Sequence, residues 1–395
     1  MNILIYSTNY PTLNGPGGIG TYTKHLAHAL ADLGQRVQVV THVDGSPRSH
    51  LSDGAVQVEA VPAGYLPILD RVVPGAGACM RLRSSMRSRA RRYRADVVEF
   101  PNWGGDGLGF VVRRPVPVVV RLHTSSLTSS EIDGLTAQRA ARWDSRRERW
   151  LSLAADALVT HSLAQRRKSA QELRIDEERI AVVPHGIAVD PKFRRPPRAG
   201  PGLTVVYLGR MERRKGTLDL IRAIPEVIRR VPEASFVLIG ADRPHCPGGR
   251  THAQYIAQEL PAEARARIEL TGELSDDEVD RRLQRADLFV APSLYESFGL
   301  IFLEAMRWGT PVLGTATGGI PEIVEDGRSG LLVPPEDPER LAAAIVNLLT
   351  DESLRCRLGE AGRRRVETRF TVEQMARGTL RVYEQALEQW RCRAS

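Results

Sequence analysis

The sequence predicts two doubly wound α/β domains in series, each a parallel sheet with helices on both faces. Short, continuously apolar segments alternate with stretches of helical spacing, which is typical of buried parallel strands between helices. A segment rich in Pro, Gly and Arg, Pro191–Gly202, interrupts this alternation, which then starts again. The chain has 395 residues, enough for two domains of ordinary size.

The first domain is predicted over residues 1–190. After the first strand, Tyr22–Leu33 has its apolar residues on one helical face, and Gly34 follows as a stop signal. The predicted strands are the apolar segments Asn2–Ser7, Val37–Thr41, Asp96–Phe100, Val116–Leu122, Ala157–Thr160 and Ile180–Val183.

The second domain is predicted over residues 200–371. Its strands are Leu203–Leu208, Ser235–Ile239, Ile268–Leu270, Leu288–Ala291 and Pro311–Gly314. Its helices are Leu218–Arg230, Phe298–Trp308 and Leu341–Leu349. A last segment of helical period, Val372–Gln389, lies beyond the expected final helix of this domain.

The composition indicates a globular protein of the cytoplasm. Hydrophobic residues make up 42% of the chain, and no apolar run approaches the ~20 residues of a membrane span. No basic segment precedes the first strand, and the four cysteines form no C-x-x-C pair, so we expect reduced thiols. The net charge of +8 could favour nucleic acid, anionic lipid or anionic substrates, or it could reflect an arginine-rich proteome.

A glycine-rich segment, Gly15-Pro-Gly17-Gly18-Ile-Gly20, follows the first strand. It matches the G-x-G-x-x-G pattern of dinucleotide-binding dehydrogenases, and Asp44 lies at a suitable distance after it. In that pattern the first glycine comes directly after the strand, whereas here Thr8–Asn14 intervene. A loop whose N–H groups bind a phosphate is therefore favoured over a dinucleotide site or a plain surface loop.

Two basic residues, Arg210 and Lys215, follow the first strand of the second domain in the segment Gly209–Gly216. Open α/β sheets bind ligands at the carboxyl ends of their strands. Two cations there could hold a diphosphate and stabilise its charge as it leaves. The alternative is a solvated basic loop in which Arg213 and Arg214 are exposed.

Two glutamates, Glu296 and Glu304, follow the buried strand Leu288–Ala291. With Ser297 as helix N-cap, Glu296 would precede a helix start whose N–H groups suit a phosphate or a sugar hydroxyl. Glu304 would lie about two turns further on. The alternatives are a carboxylate that complements the helix dipole and a long side chain at the surface.

Two further features would lie at strand ends of the same kind. Gly314–Glu322 is a glycine-rich turn after a strand of the second domain, and an ordinary strand-to-helix loop is the alternative. His123 follows Val116–Leu122 in the first domain, and a structural histidine is the alternative there.

Together these segments resemble the glycogen-synthase-like retaining glycosyltransferases, family 4 of the sugar transferases, over nearly the whole chain. The family signature E-x7-E is present as Glu296 and Glu304 in the frame A-P-S-x-x-E-S-F-G-L. Further matches are the G-G-I-G-x-Y loop at Gly17–Gly20, His123 at its strand end, G-R-M-x-x-x-K-G with Arg210 and Lys215, and G-G-x-P-E at Gly318–Glu322. The resemblance implies the GT-B fold, in which two Rossmann-like domains face a central cleft and a last helix, here within 372–395, returns to the first domain.

The resemblance also implies roles for the matching positions. Arg210 and Lys215 would grip the pyrophosphate of a nucleotide-sugar, and Gly17 and Gly18 would approach it from the first domain. His123 would contact the donor sugar near the reacting carbon. The base would lie near Leu274, Glu304 would bind the ribose, and the sugar would be held by Glu296 and the segment after it: Ser297, Phe298, Gly299 and Leu300.

The implied activity is transfer of a hexose-type sugar to an acceptor hydroxyl with retention of anomeric configuration. We expect a UDP-sugar as donor, since UDP is the commonest choice in the family, and we expect no cofactor and no metal. A sugar-nucleotide epimerase of the same fold would lack E-x7-E in this frame. A non-catalytic binder of sugar-nucleotide or nucleic acid need not keep Arg210, Lys215, Glu296 and Glu304 together, and we expect no nucleic acid as partner.

The acceptor could be a small molecule, a glycan or a lipid-linked sugar. Candidate acceptor walls are Gly64–Leu69 and Pro101–Asp106, for which plain surface loops are the equal alternative. Residues 81–94 contain seven arginines and no acid, with apolar residues at helical spacing. They could lie on an anionic membrane, at the inner face, although a solvated outer helix packed on the first sheet is favoured.

Overall fold

A computed structural model describes residues 1–14, 17–43, 49–62, 70–71, 74–133, 139–196, 200 and 202–394. These residues form two compact α/β units. The first unit consists of Met1–Gly186 together with Val372–Ser395, and the second consists of Ile187–Thr371. Within the described part of the chain, no helix is long and apolar enough to cross a membrane.

The first unit is built on an eight-stranded sheet with the order β3-β4-β2-β1-β5-β6-β7-β8. All neighbouring pairs are parallel except β3 and β4. The strands are β1 Asn2–Ser7, β2 Arg36–Val43, β3 Ser49–Asp53, β4 Val56–Pro62, β5 Val97–Pro101, β6 Val118–Leu122, β7 Ala157–Thr160 and β8 Ile180–Val182. Six of these were predicted. The hairpin β3–β4 was missed because its edge strand is polar and largely exposed.

The helices of the first unit cover both faces of this sheet. They are α1 Pro11–Asn14, α2 Gly18–Asp32, α3 Ala76–Arg92, α4 Leu108–Val111, α5 Ser126–Ile132, α6 Arg139–Ala154 and α7 Leu163–Leu173. Leu26 and Leu30 of α2 pack on one face, and Leu82 and Met86 of α3 pack on the other.

The basic helix α3 therefore packs on the sheet, as the favoured interpretation of residues 81–94 predicted. Its Arg89 is buried and ion-paired with Glu59 of β4, so this arginine does not belong to a solvated face. Arg81, Arg91 and Arg92 are exposed. Contact of these exposed side chains with a membrane stays a prediction.

The last helix, α16 (Val372–Ala394), belongs to the first unit. A buried polar network attaches it to the sheet. Arg121 of β6 pairs with Glu99 of β5, with Nε–Oε1 and Nη2–Oε2 distances of 3.0 and 3.1 Å. Arg121 also donates to Thr379 of α16 at 3.1 Å, and the hydroxyl of Tyr383 donates to Glu99 at 2.8 Å. Since all these groups are buried, the helix is part of the core of this unit.

The second unit has a six-stranded parallel sheet with the order β11-β10-β9-β12-β13-β14. Its strands are β9 Leu203–Leu208, β10 Ala234–Ile239, β11 Ile268–Gly272, β12 Leu288–Ala291, β13 Val312–Thr315 and β14 Leu331–Val333. Its helices are α8 Thr217–Arg230, α9 His252–Glu259, α10 Ala262–Arg265, α11 Asp276–Arg285, α12 Leu300–Met306, α13 Ile320–Ile323, α14 Pro338–Thr350 and α15 Glu352–Arg369. The chain order reverses between β9 and β12, which is where such sheets form a ligand crevice.

The division between the units falls at Gly186, before the predicted linker Pro191–Gly202. The described residues of that segment belong to the second unit. Ile187 donates its N–H to the carbonyl of Phe370 at 2.9 Å, and Arg195 donates to Thr310 Oγ1 at 2.9 Å. These contacts hold the Pro-rich segment against the second core, which composition alone did not indicate.

Candidate functional site

Three loops of the second unit meet at the carboxyl ends of β9, β12 and β13. Leu294, after β12, donates its N–H to the carbonyl of Arg214, after β9, at 2.8 Å. Gly319, after β13, donates to the carbonyl of Glu296 at 2.9 Å, and Thr315 Oγ1 donates to the carbonyl of Ser293 at 2.5 Å. Residues far apart in the sequence are thus fixed against one another.

Two glycines permit this close approach. Gly216 has φ of 64°, and a Cβ there would lie 1.8 Å from the carbonyl oxygen of Pro292. Gly318 has φ of 53°, and a Cβ there would lie 2.1 Å from the carbonyl oxygen of Glu296. Both positions combine a left-handed backbone with backbone contact, so only glycine fits without displacing a loop.

Lys215 and Glu296 form the centre of the site. Lys215 Nζ lies 2.5 Å from Glu296 Oε1, and Ser293 Oγ donates to the same oxygen at 2.9 Å. Arg214 Nη1 lies 3.9 Å from Glu296 Oε2. Both members of the central pair are largely buried, so their interaction is weakly screened by water.

The protonation of this pair follows from its surroundings. Burial alone would raise the pKa of Glu296, but the charges of Lys215 and Arg214 and the hydrogen bonds from Lys215 and Ser293 lower it. Burial lowers the pKa of Lys215, against the attraction of Glu296. The carboxylate is therefore held ionised beside two cationic side chains.

The basic loop after β9 contains one buried and two exposed arginines. Arg210 is 56% exposed and its Nε lies 3.2 Å from Glu212 Oε1, so its guanidinium borders the site and stays accessible. Arg213 is 54% exposed. Arg214 is buried between Glu212 and Glu296, so the alternative of a solvated loop in which Arg214 is exposed does not hold for this residue.

The helix after Glu296 begins later than predicted. Its first residue is Leu300, and the N-cap is Gly299, with φ of 107°, instead of Ser297. A residue with this left-handed backbone cannot continue the helix towards Phe298. Phe298 is buried in the core of the unit, and Ser297 is partly exposed beside Glu296. The N–H group of Phe298 is therefore not part of the helix start, which begins with the N-cap Gly299.

Glu304 lies one turn into α12 and is partly buried. Burial raises its pKa to about 7, against the attraction of Arg307 and with repulsion from Asp280 and Asp276. A carboxyl with this pKa can accept or donate a hydrogen bond near neutral pH, which suits contact with a ribose hydroxyl.

We expect Glu304→Gln to stabilise the second unit at pH 8. An unfolded carboxyl ionises near 4.5, whereas the folded one keeps its proton up to about 7. The ionised form is thus penalised only in the folded protein, so wild-type stability falls relative to the variant as pH rises from 4.5 to 7. Thermal melts should show a gain of about 5 °C at pH 8 and none at pH 4. A gain of equal size at both pH values would contradict the raised pKa.

Leu274, the predicted neighbour of the base, follows β11. It is partly buried and packs against the same apolar cluster as Phe298 and Phe302. Its contact with a base stays a prediction.

The first unit carries the remaining predicted site residues. Gly17 precedes α2 with an extended backbone, and a Cβ there would lie 2.6 Å from Asn9 Nδ2. Gly18 is exposed, and no atom lies within 4 Å of a Cβ placed there. Gly15 and Pro16 lie outside the described residues. Gly18 to Gly20 therefore belong to the start of α2 and not to a loop, and the backbone at Gly18 is open to the approach of a ligand.

His123 is fixed through its backbone. Its N–H donates to Asn102 Oδ1 at 2.8 Å, and its carbonyl accepts from Asn102 Nδ2 at 3.3 Å and from Gln165 Nε2 at 3.2 Å. Burial, together with the charge of Arg121, lowers the pKa of His123 to about 3. The imidazole is therefore neutral, and it can either donate a hydrogen bond to a ligand or accept one from it.

Of the candidate acceptor walls, Gly64–Leu69 lies outside the described residues. The other wall, Pro101–Asp106, is held in place by polar contacts. The hydroxyl of Tyr6, at the end of β1, donates to Asp106 Oδ2 at 2.8 Å and lies 2.7 Å from His42 Nδ1. Trp103 is exposed. The role of this segment as an acceptor wall stays a prediction.

Several residues of the site were missed in the sequence. Arg214, Ser293 and Thr315 hold the central pair and its loops, and Asn102 and His161 contact His123. All follow a predicted strand within a few residues, which is the signal that could have found them. Among the described residues, no group of three or more His, Cys, Asp or Glu side chains is arranged to hold a metal ion.

Two family models match the chain, one in its N-terminal half and one in its C-terminal half. The model described as Glycosyltransferase Family 4 matches residues 16–191. The model described as Glycosyl transferases group 1 matches residues 189–365, which include the loops around Lys215 and Glu296.

Similar proteins match along nearly the whole chain. A glycogen synthase of Mycobacterium tuberculosis is 29% identical over 97% of this chain and 94% of its own length. A D-inositol 3-phosphate glycosyltransferase of Nocardioides sp. is 30% identical over 95% of this chain and 87% of its own length. The structure of sucrose-phosphate synthase from Thermosynechococcus elongatus matches with a TM-score of 0.77 at 22% identity, covering 98% of this chain and 99% of that one.

Proposed function

This chain belongs to glycosyltransferase family 4 and has the GT-B fold of two parallel α/β domains, and we propose that it transfers a hexose-type sugar from a UDP-sugar to an acceptor hydroxyl, with retention of anomeric configuration and without a metal ion. The observation that carries the proposal is the ion pair of Lys215 and Glu296, held by Arg214 and Ser293 at the crevice of the second sheet.

The basic residues supply the charge that the leaving group needs. As the bond between the sugar and the diphosphate breaks, negative charge grows on the phosphate oxygens. Lys215 is fixed by Glu296 before the reaction, so it can stabilise that charge without reorganising. Arg210 is accessible and would close on the diphosphate from the solvent side. These two cations would do the work that a divalent metal does in other transferases.

The two glutamates would bind different parts of the donor. The ionised Glu296 accepts hydrogen bonds and would hold sugar hydroxyls, while the less acidic Glu304 would face the ribose. His123 would meet the sugar from the first domain with a neutral ring. Retention would follow from attack on the same face as departure, with the leaving phosphate taking the acceptor proton.

The choice of UDP is supported by structural neighbours. The structure of HepE from Anabaena, which contains UDP and glucose, matches with a TM-score of 0.71 at 19% identity over 97% of this chain and 99% of that one. At 19% identity this similarity shows that the two proteins share a fold. That this chain also binds UDP is our proposal.

The proposal is tested by incubating the protein with UDP-, GDP- and ADP-sugars and a panel of acceptor sugars and polyols. We expect release of UDP, a product whose anomeric configuration, read from its proton coupling constants, equals that of the donor, and rates unchanged by EDTA. A product of inverted configuration would contradict retention. Conversion of the donor to its epimer without released nucleotide would favour an epimerase, and binding without turnover would favour a sugar-nucleotide binder.

A further inference from the structure

Three histidines follow three neighbouring strands of the first unit. His123 comes directly after β6, His161 directly after β7, and His185 three residues after β8. These strands are adjacent and parallel, so their carboxyl ends lie at one edge of the sheet. The three imidazoles are thereby brought together, although 62 residues separate the first from the last.

The three rings lie in a row, called the stack below, in which His161 and His185 are stacked and His123 is tilted by 47° against His161. The ring centroids of His123 and His161 are 4.7 Å apart, and those of His161 and His185 are 3.7 Å apart with nearly parallel planes. Tyr22 of α2 packs against this stack, with its ring 4.6 Å from His185. His161 and His185 are buried, whereas His123 is partly exposed and forms the open end.

A direct polar contact joins the first two rings. His161 Nε2 lies 3.2 Å from His123 Nδ1. Burial lowers the pKa of all three histidines, and the buried guanidinium of Arg121 lowers it further. The other groups that face the stack are Tyr22 and His25, both on α2. All three imidazoles are therefore neutral, and each neutral ring has one N–H and one bare nitrogen.

We propose that His161 is a positioning residue that fixes the ring orientation and the tautomer of His123. In a contact of 3.2 Å between two neutral rings, one nitrogen donates and the other accepts. His161 determines whether His123 Nδ1 carries the ring proton. Because a neutral imidazole has one N–H, His123 Nε2 is bare when Nδ1 is protonated and protonated when Nδ1 is bare. The tautomer of His123 is thereby tied to that of the buried His161: the open end of the stack presents a donor to the sugar where His161 donates, and an acceptor where His161 accepts.

The proposal rests on the proposed function only in the role given to His123. The stack and the tautomer belong to the resting protein. They can therefore be tested without a donor or an acceptor.

The experiment compares two variants of His161. His161→Phe keeps a flat ring beside His185 but removes the polar contact with His123. His161→Gln places an amide near the position of Nε2 and so keeps a hydrogen-bonding group. His50→Phe, at a histidine that is 63% exposed in the edge strand β3, is the matched control for a His-to-Phe change.

The first measurement is the pair of ¹⁵N chemical shifts of the His123 ring, assigned with His123→Gln as reference. In the wild type and in His50→Phe, we expect the shifts of a single neutral tautomer. In His161→Phe, we expect averaged shifts, because His161 supplies the hydrogen bond to a His123 ring nitrogen that is found among the described residues. Averaged shifts already in the wild type, or identical shifts in His161→Phe, would overturn the proposal.

The second measurement is the steady-state kinetics of sugar transfer. In His161→Phe, we expect kcat to fall about tenfold with KM nearly unchanged, and in His161→Gln we expect partial recovery. Equal losses in both variants would show that His161 acts only by packing and would overturn the proposal. If no donor is turned over, the function proposed above fails, whereas the chemical shifts still decide on the tautomer.

Discussion

Replacing Lys215 by alanine is expected to lower kcat/KM for the donor sugar by about 10²–10³-fold, the usual loss when a preorganised charge-stabilising group is removed. Lys215 is fixed beside Glu296 in a largely buried position. A water molecule in its place would therefore stabilise the charge of the leaving diphosphate less well than the ammonium group does. The loss should fall mainly on kcat, because the leaving diphosphate carries more charge in the transition state than in the bound donor. Steady-state release of UDP measures both parameters.

The matched control is Arg213→Ala, two residues earlier in the same loop. Arg213 is 54% exposed and its nearest carboxylate, that of Glu336, is 3.9 Å away. We expect kcat/KM of this variant to stay within about twofold of the wild type, since exposed ion pairs contribute little. Equal effects of Lys215→Ala and Arg213→Ala would mean that only the net positive charge of the loop matters and that the position of Lys215 has no special role.

A second variant separates chemistry from folding. Lys215→Ala leaves the carboxylate of Glu296 buried with Arg214 as its remaining cationic partner, so the melting temperature should fall. Adding Glu296→Gln removes that charge and should restore much of the melting temperature without restoring turnover. Recovery of turnover in the double variant would contradict the roles given to both residues.

Replacing Arg121 by methionine is expected to lower the free energy of unfolding of the first unit by about 3–5 kcal/mol, the usual cost of leaving one buried charge without its partner. Arg121 and Glu99 are both buried and joined by two hydrogen bonds. The change would also remove the bond from Arg121 to Thr379 of α16. Guanidinium unfolding followed by tryptophan fluorescence reports mainly this unit, which contains four of the five tryptophans.

The informative comparison is the double variant Arg121→Met with Glu99→Leu. Without either charge, no uncompensated carboxylate stays buried, and part of the lost stability should return, although Tyr383 loses its acceptor. Arg81→Met, at an exposed arginine of α3, should leave stability unchanged. A double variant with the summed loss of both single changes would show that the two charges do not depend on each other.

Much of the fold was predictable because its strands are buried on both faces. Such strands are continuous apolar segments, and eleven of the fourteen strands in the described part of the chain were found from them. The polar edge strand β3 lacks that signal, and β4 is half of a hairpin with β3. The strand β14 is apolar but has only three residues. The start of α12 was misplaced because Ser297 is a good N-cap by residue type, whereas the left-handed backbone of Gly299 decides where the helix begins.

The sequence by itself determined the fold class and the family, through local periodicity and through motifs that each span about ten residues or fewer. It also placed Arg210, Lys215, Glu296 and His123 after strand ends and Glu304 in the helix that follows, since a motif and its strand are neighbours in the chain. Only the tertiary structure decided which of these side chains meet. Lys215 and Glu296 are 81 residues apart, and Tyr383 reaches Glu99 across 284 residues. Such contacts depend on the path of the whole backbone, which periodicity does not report. For the same reason the burial of Arg214 and the stacking of His123, His161 and His185 became visible only in the folded chain.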